Sequence, residues 1–196
     1  MGMIKREFGM ERRLLWVALL TAASVVMSGV YACATPFAAL GAIAALDNNR
    51  RDGLILIAIV WLANQIVGFG FLGYPHEAQA YAWGVAILAA AVVGFLAARV
   101  LVTAIAPVNA LATIGGAFLV AFVGYQLGLY AATSVLPSSS GAFSYAVVSY
   151  VATVNAIAFV ALLALHWLAS IAGLVEQNAV EARLGVTIGR GHDALL

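Results

Sequence analysis

The residues of this chain best suited to chemistry are polar side chains that interrupt long apolar runs. Four amides stand out in this way: Asn64, Gln65, Gln126 and Asn155. A polar group inside hydrocarbon is costly unless it finds a partner, so such residues are candidate sites by default. Amides donate and accept hydrogen bonds, which suits a small ligand with both apolar and hydrogen-bonding parts.

A second group of candidates lies in the segment Gly73-Tyr74-Pro75-His76-Glu77-Ala78-Gln79-Ala80-Tyr81-Ala82-Trp83-Gly84. Its rings are typical of an aromatic belt at the membrane interface, but the segment could equally be a lid that contacts a ligand. Within it, His76 and Glu77 form an ionisable pair that could bind a proton or a metal ion. Two adjacent residues do not complete a metal site.

We expect these side chains to converge on a pocket that is open to the outside of a membrane. The predicted ligand-binding residues are Asn64, Gln65, Tyr74, His76, Glu77, Trp83, Gln126, Tyr130, Tyr145 and Asn155. A strongly anionic ligand is disfavoured, whereas a cation could use Glu77 and the aromatic faces. The alternative is that the amides bond to one another and hold the helices together.

Several classes of function are disfavoured by what the sequence lacks. It contains no P-loop, no Ser/His/Asp arrangement and no paired catalytic carboxylates, so we do not expect an enzyme. The net charge of +1 gives no basic field for nucleic acid. The single cysteine, Cys33, excludes a disulfide framework within the chain. His166 could hold a pigment or haem, but no cofactor is specified by the pattern.

The composition is that of a protein dissolved in a lipid bilayer. Hydrophobic residues make up 65% of the 196 residues and charged residues only 9%, too few to cover a water-facing surface. The apolar runs predict an all-α integral membrane bundle with six transmembrane helices in a domain of residues 1–175. The predicted spans are residues 14–32, 35–46, 54–72, 80–98, 108–132 and 143–174, and residues 176–196 form a polar cytoplasmic tail.

The positive charges predict how these spans are oriented. With six spans and both termini inside, all 9 Lys and Arg residues fall on the cytoplasmic side. A break at Pro36 is needed for this, because a single crossing over residues 14–46 would put Arg50 and Arg51 outside. We therefore expect a multi-pass protein of a bacterial inner membrane. A signal peptide cleaved near Cys33 is the competing interpretation.

Small residues recur at helical spacing in two places. Gly124 and Gly128 form a GxxxG pattern, and Ala18 and Ala22 form an AxxxA pattern on the first predicted helix. With its size, six spans and lack of an ATPase motif, the chain resembles the S components of energy-coupling-factor vitamin transporters. The resemblance implies a substrate pocket near the outside. It also implies that Ala18 and Ala22 dock on a membrane partner coupled to ATPases.

The predicted function is thus a membrane-embedded substrate-binding or uptake subunit for a small molecule, vitamin- or metal-related, that depends on a partner protein for energy. Residues 100–175 contain no Asp, Glu, Lys or Arg, which disfavours an autonomous proton-coupled carrier. The alternative is a non-catalytic accessory or assembly subunit of a larger membrane complex, with bound pigment or redox groups. A cavity lined by the amides would distinguish the first from the second.

Overall fold

The computed structural model describes residues 11, 15, 17–22, 35–47, 49–105, 110–138 and 141–171. Within these ranges the protein is all-helical, with no strand. A helical segment at residues 17–22 precedes α1 (Phe37–Asp47), α2 (Arg50–Gly70), α3 (Ala78–Ile105), α4 (Ala110–Ala132) and α5 (Tyr145–Ile171). The predicted tail and most of the first predicted span lie outside the described residues.

Four of these helices are long and apolar enough to cross a membrane: α2, α3, α4 and α5. Their surfaces carry many exposed Leu, Ile and Val side chains, as expected where the surroundings are lipid. The prediction of an all-helical protein is confirmed for the described residues, and its four long apolar helices are compatible with an integral membrane protein. The prediction of six crossings with both termini inside remains a prediction.

The short helix α1 forms the centre of the bundle. Its 11 residues span about 16 Å, roughly half of a hydrocarbon core. Every side chain from Phe37 to Leu46 that has a Cβ is buried, and α2, α3, α4 and α5 all pack against it. A helix that is apolar on all sides belongs either in a protein core or in lipid, and α1 takes the first of these positions. One end of α1 therefore lies deep inside the protein.

The two ends of α2 have clear local causes. Asn49 precedes the helix, and its side chain accepts a hydrogen bond from the Asp52 amide, which is a standard N-cap. After Gly70 the chain turns at Gly73, whose φ of 70° suits glycine. The Tyr74 amide then donates back to the Gly68 carbonyl at 3.1 Å. This turn directs Tyr74 back over the helix.

Helices α3 and α4 have the most extensive contact in the bundle because glycines let their backbones approach each other. A Cβ placed on Gly94 would lie 2.6 Å from the Ala121 carbonyl oxygen, and one on Gly128 would lie 2.8 Å from the Cα of Ala90. Gly124 sits between them, facing Gly94. The GxxxG pattern of α4 is thus used within the chain, against α3.

Candidate functional site

A cavity of about 590 Å³ opens at the end of the bundle where α2 and α4 finish and α3 and α5 begin. The alternating direction of the helices puts this end opposite Arg50 and Arg51, which lie at the start of α2. The cavity walls are mostly apolar and aromatic, with a few amide and hydroxyl groups. Both its size and its composition are typical of small-molecule sites.

The deep part of the cavity is formed around the start of α1. Thr35 is buried, and its hydroxyl donates a hydrogen bond of 2.7 Å to the Asn64 side-chain oxygen on α2. Phe37 and Tyr125 close this region, with ring centroids 6.2 Å apart. The Thr35–Asn64 bond fixes the chain just before α1 to α2, so the floor of the cavity is built by two elements held together.

The first turn of α1 has no free donors, because Asn155 on α5 acts as its cap. The Asn155 oxygen accepts hydrogen bonds from the Ala38 and Ala39 amides at 3.1 and 3.2 Å. The Phe37 amide bonds to the Thr35 carbonyl, and the Leu40 amide bonds to the Pro36 carbonyl. Pro36 has no N–H, and the Leu40 bond is the first regular bond of the helix, so the three N–H groups left open at its start, those of Phe37, Ala38 and Ala39, are all satisfied inside the protein.

Gln65 reaches the cavity from α2 because α3 has a glycine opposite it. A Cβ on Gly84 would lie 2.8 Å from the Gln65 side-chain oxygen, so any larger residue at this position would displace the Gln65 amide from its place. The Gly84 carbonyl also accepts a 2.7 Å hydrogen bond from the Trp61 indole. Trp61 therefore holds α2 against α3 at the level where Gln65 enters the cavity.

Gln126 enters the cavity from α4, so the two glutamines belong to separate helices. Both side chains are half-buried. In the part of the chain that is described, neither glutamine amide forms a hydrogen bond to another protein group. Each amide thus keeps a donor and an acceptor for whatever fills the cavity.

The rim of the cavity is held by two bonds to one carbonyl. The Trp83 indole donates to the Pro137 carbonyl at 3.0 Å, and the Gln79 amide donates to the same oxygen at 3.2 Å. The loop after α4 is thereby anchored to the first turns of α3. Ser138 and Phe143 also line the cavity.

The outer loop after α2 folds into an aromatic cluster at the rim. Phe69 stacks on Tyr81 with centroids 4.7 Å apart and meets Tyr74 edge-on at 5.7 Å. The His76 ring nitrogen Nδ1 is 2.8 Å from the Tyr81 hydroxyl. Phe69 and Tyr74 belong to the cavity wall, whereas His76 and Tyr81 are exposed outside it.

The structure brings half of the predicted ligand-binding residues to the cavity: Asn64, Gln65, Tyr74, Trp83 and Gln126. The other five do not line it. His76 and Glu77 are exposed in the outer loop, and Tyr145 is 89% exposed. Tyr130 is 63% exposed and contacts Phe143 edge-on. Asn155 is fully buried as the cap of α1.

The sequence prediction missed several residues of the cavity, chiefly Thr35, Gln79 and Ser138. Thr35 precedes Pro36 at a predicted helix break, and a polar residue at a break inside the membrane is a usable signal. Gln79 lies inside the outer segment that was already singled out. Nothing local identified Ser138, because its place depends on where the loop after α4 is anchored.

The cavity has no charged group among its described lining residues. Across the described ranges, no group of three or more His, Cys, Asp or Glu side chains could hold a metal ion. His166 lies in the half of α5 away from the cavity and is half-buried. The chemistry available in the cavity is hydrogen bonding by amides and hydroxyls together with contact to aromatic rings.

No protein-family model matches this chain, and no curated protein or solved structure matches it at a significant level. What the cavity binds is therefore inferred from its own geometry.

Proposed function

We propose that this protein is a membrane-embedded subunit that binds a small molecule in the cavity between α2, α3, α4 and α5. The observation that carries the proposal is the pair Gln65 and Gln126, whose amides enter a 590 Å³ apolar cavity without bonding to another described group. A polar group facing an apolar cavity is stabilised when a ligand or water pairs with it. In an accessory subunit held together by polar contacts, these amides would be paired with each other.

The cavity of this proposal faces the outside of a bacterial inner membrane. Arg50, Arg51 and Arg99 lie towards the opposite end of the bundle, and the positive-inside rule assigns that end to the cytoplasm. A subunit that captures a molecule from outside needs a site on that side. The loops after α2 and α4, which form the rim, are the parts through which a ligand would enter.

Uptake by this protein would draw its energy from a partner. The membrane-spanning stretch of residues 100–175 has no ionisable relay of Asp, Glu, Lys or Arg. Ala18 and Ala22 are both exposed on the helical segment 17–22, with Leu20 buried on the opposite face. In this proposal the exposed alanines are the docking surface for a coupling protein, as the resemblance to energy-coupling-factor S components implies.

Native mass spectrometry of gently purified protein tests the proposal. We expect a stoichiometric small molecule on the wild type, and its occupancy falls in the variants Gln65→Leu and Gln126→Leu. Val123→Leu is the matched control, because Val123 is exposed on α4 and does not line the cavity. A wild type that carries no small molecule but forms a stable complex with pigment or redox proteins would contradict the proposal and favour an accessory subunit.

A further inference from the structure

We infer that the cavity takes an electrically neutral, ring-containing molecule that carries amide or hydroxyl groups. This inference rests on the proposed function and adds the chemical class of the ligand. It follows from three features of the site: the lack of a countercharge among its described lining residues, the satisfied terminus of α1, and the pairing of amides with aromatic walls.

An anion would find no compensation in this cavity. No Lys, Arg or His is among its described lining residues. Residues 23–34, which lead into Thr35, also contain no Asp, Glu, Lys, Arg or His. The helix start that reaches the deep part of the cavity is that of α1, and free N–H groups at such a position attract anions in other proteins. Here the Asn155 oxygen and the Thr35 carbonyl already accept from those N–H groups.

A cation would also remain uncompensated. Glu77, which the sequence suggested as its partner, is exposed in the outer loop and is not part of the lining. Aromatic rings attract cations, but the described lining adds no carboxylate that would offset the dehydration of an ion. The site is thus better suited to a ligand that brings no net charge into the bundle.

The groups that do face the cavity define what a neutral ligand must offer. Gln65 and Gln126 each present an NH₂ group that donates and a carbonyl oxygen that accepts, and they do so from different helices. Around them lie rings of Phe69, Tyr74 and Trp83. An amide or hydroxyl group on a flat ring matches both parts, because the polar edge pairs with the amides while the ring faces pack on the aromatic side chains.

A charge-matched series of probes tests this class directly. The probes are compared at a pH of about 6, below the pKa of an α-amino group and above that of an α-carboxyl group. There N-acetylphenylalaninamide is neutral, N-acetylphenylalanine is an anion and phenylalaninamide is a cation, and all three share one ring and similar size. Binding to the purified protein in nanodiscs is measured by native mass spectrometry. We expect the neutral probe to bind at least about tenfold more tightly than either ion, because only the ions must be dehydrated without a countercharge.

Variants that place a charge at Gln126 test the same inference by changing the protein, so that differences in shape between the probes do not affect the result. Gln126→Glu and Gln126→Lys should each weaken binding of the neutral probe, whereas Val123→Leu should leave it unchanged. The same argument predicts that the cation binds Gln126→Glu, and the anion Gln126→Lys, more tightly than either ion binds the wild type, because each variant supplies the missing countercharge. No gain for either ion would overturn the inference. So would preference of the wild type for a charged probe or a charged co-purified molecule.

The outcomes separate this inference from the proposed function. A charged molecule bound stoichiometrically in the cavity would leave the proposed function standing and remove the neutral class. A wild type that carries no co-purified molecule and binds none of the three probes would contradict both.

Discussion

Asn155 is the residue whose role depends most on its three-dimensional surroundings. Its oxygen accepts from two amides of α1, and its own NH₂ group donates to the Val151 carbonyl at 2.9 Å. A serine or aspartate next to a helix performs this capping in most soluble proteins. Here the cap comes from a different helix, because α1 begins inside the bundle where water cannot supply the bonds.

Replacing Asn155 with leucine should therefore destabilise the fold. The change leaves the Ala38 and Ala39 amides buried without a partner, at a cost of roughly 1–3 kcal/mol in the free energy of unfolding. Thr153→Val is the control, since Thr153 is exposed on the same helix and bonds only within its own turn. Unfolding by SDS titration in mixed micelles measures both. Equal stability of the two variants would show that the cap contributes little.

Gly84 permits Gln65 to enter the cavity, and its substitution should affect binding more than folding. The Cβ of Gly84→Ala would meet the end of the flexible Gln65 side chain, which can move away. We expect lower occupancy by the co-purified molecule, with a change in stability within about 1 kcal/mol. Gly70→Ala is matched to it, because nothing lies within 4 Å of a Cβ there. Native mass spectrometry gives the occupancy, and equal occupancy in the two variants would refute this role.

Comparing the predicted ligand-binding residues with the cavity lining shows which parts of the site can be located from sequence. Membrane burial alone singled out Asn64, Gln65 and Gln126, and all three line the cavity. The same reasoning selected Asn155, which caps α1 instead of lining the cavity. A sequence does not reveal which group an intramembrane amide will bond. Tyr130 and Tyr145 are exposed outside the cavity. The sequence could not place them, because a helix that is apolar on all sides has no hydrophobic periodicity to identify its inner face.

At the scale of helices, the contact between α3 and α4 depends on backbone proximity. Gly94→Ala would put a Cβ 2.6 Å from the Ala121 carbonyl oxygen, and a backbone atom cannot rotate away as a side chain can. The helices would have to separate, which we expect to lower the free energy of unfolding by about 1–3 kcal/mol.

Gly115→Ala is the control for this contact. Gly115 lies on α4 with nothing within 4 Å of an added Cβ, so alanine should leave stability unchanged or raise it by up to about 1 kcal/mol through its better helix propensity. SDS titration compares the two. A Gly94→Ala variant as stable as Gly115→Ala would mean that the close approach of α3 and α4 is not needed for the fold.

The helix boundaries were partly accessible from composition. Pro36 and the polar block at residues 47–52 marked the ends of a short helix, and α1 covers Phe37–Asp47 between them. What the sequence did not indicate is that this helix would be central, with four helices around it. Its small, apolar residues fit a lipid-facing position as well as a buried one, so the position of this helix depends on how the other helices pack around it.

At the scale of the whole molecule, the distribution of charge predicts the orientation in the membrane. We expect a cysteine at Ser134, in the loop beside the cavity, to react with a membrane-impermeant maleimide added outside intact cells. A cysteine at Asn49, at the opposite end of α2, should react only after the membrane is opened. Both are made in a Cys33→Ser background so that the native thiol does not react. The reverse pattern would place the cavity on the cytoplasmic side and contradict capture from outside.

The most direct measurement of the central claim is a density map of the protein purified in nanodiscs from its own membrane, at a resolution that shows side chains. The account predicts compact non-protein density in the cavity, within hydrogen-bonding distance of both Gln65 and Gln126. An empty cavity, a lipid tail that contacts neither amide, or a segment of another protein in that space would contradict it.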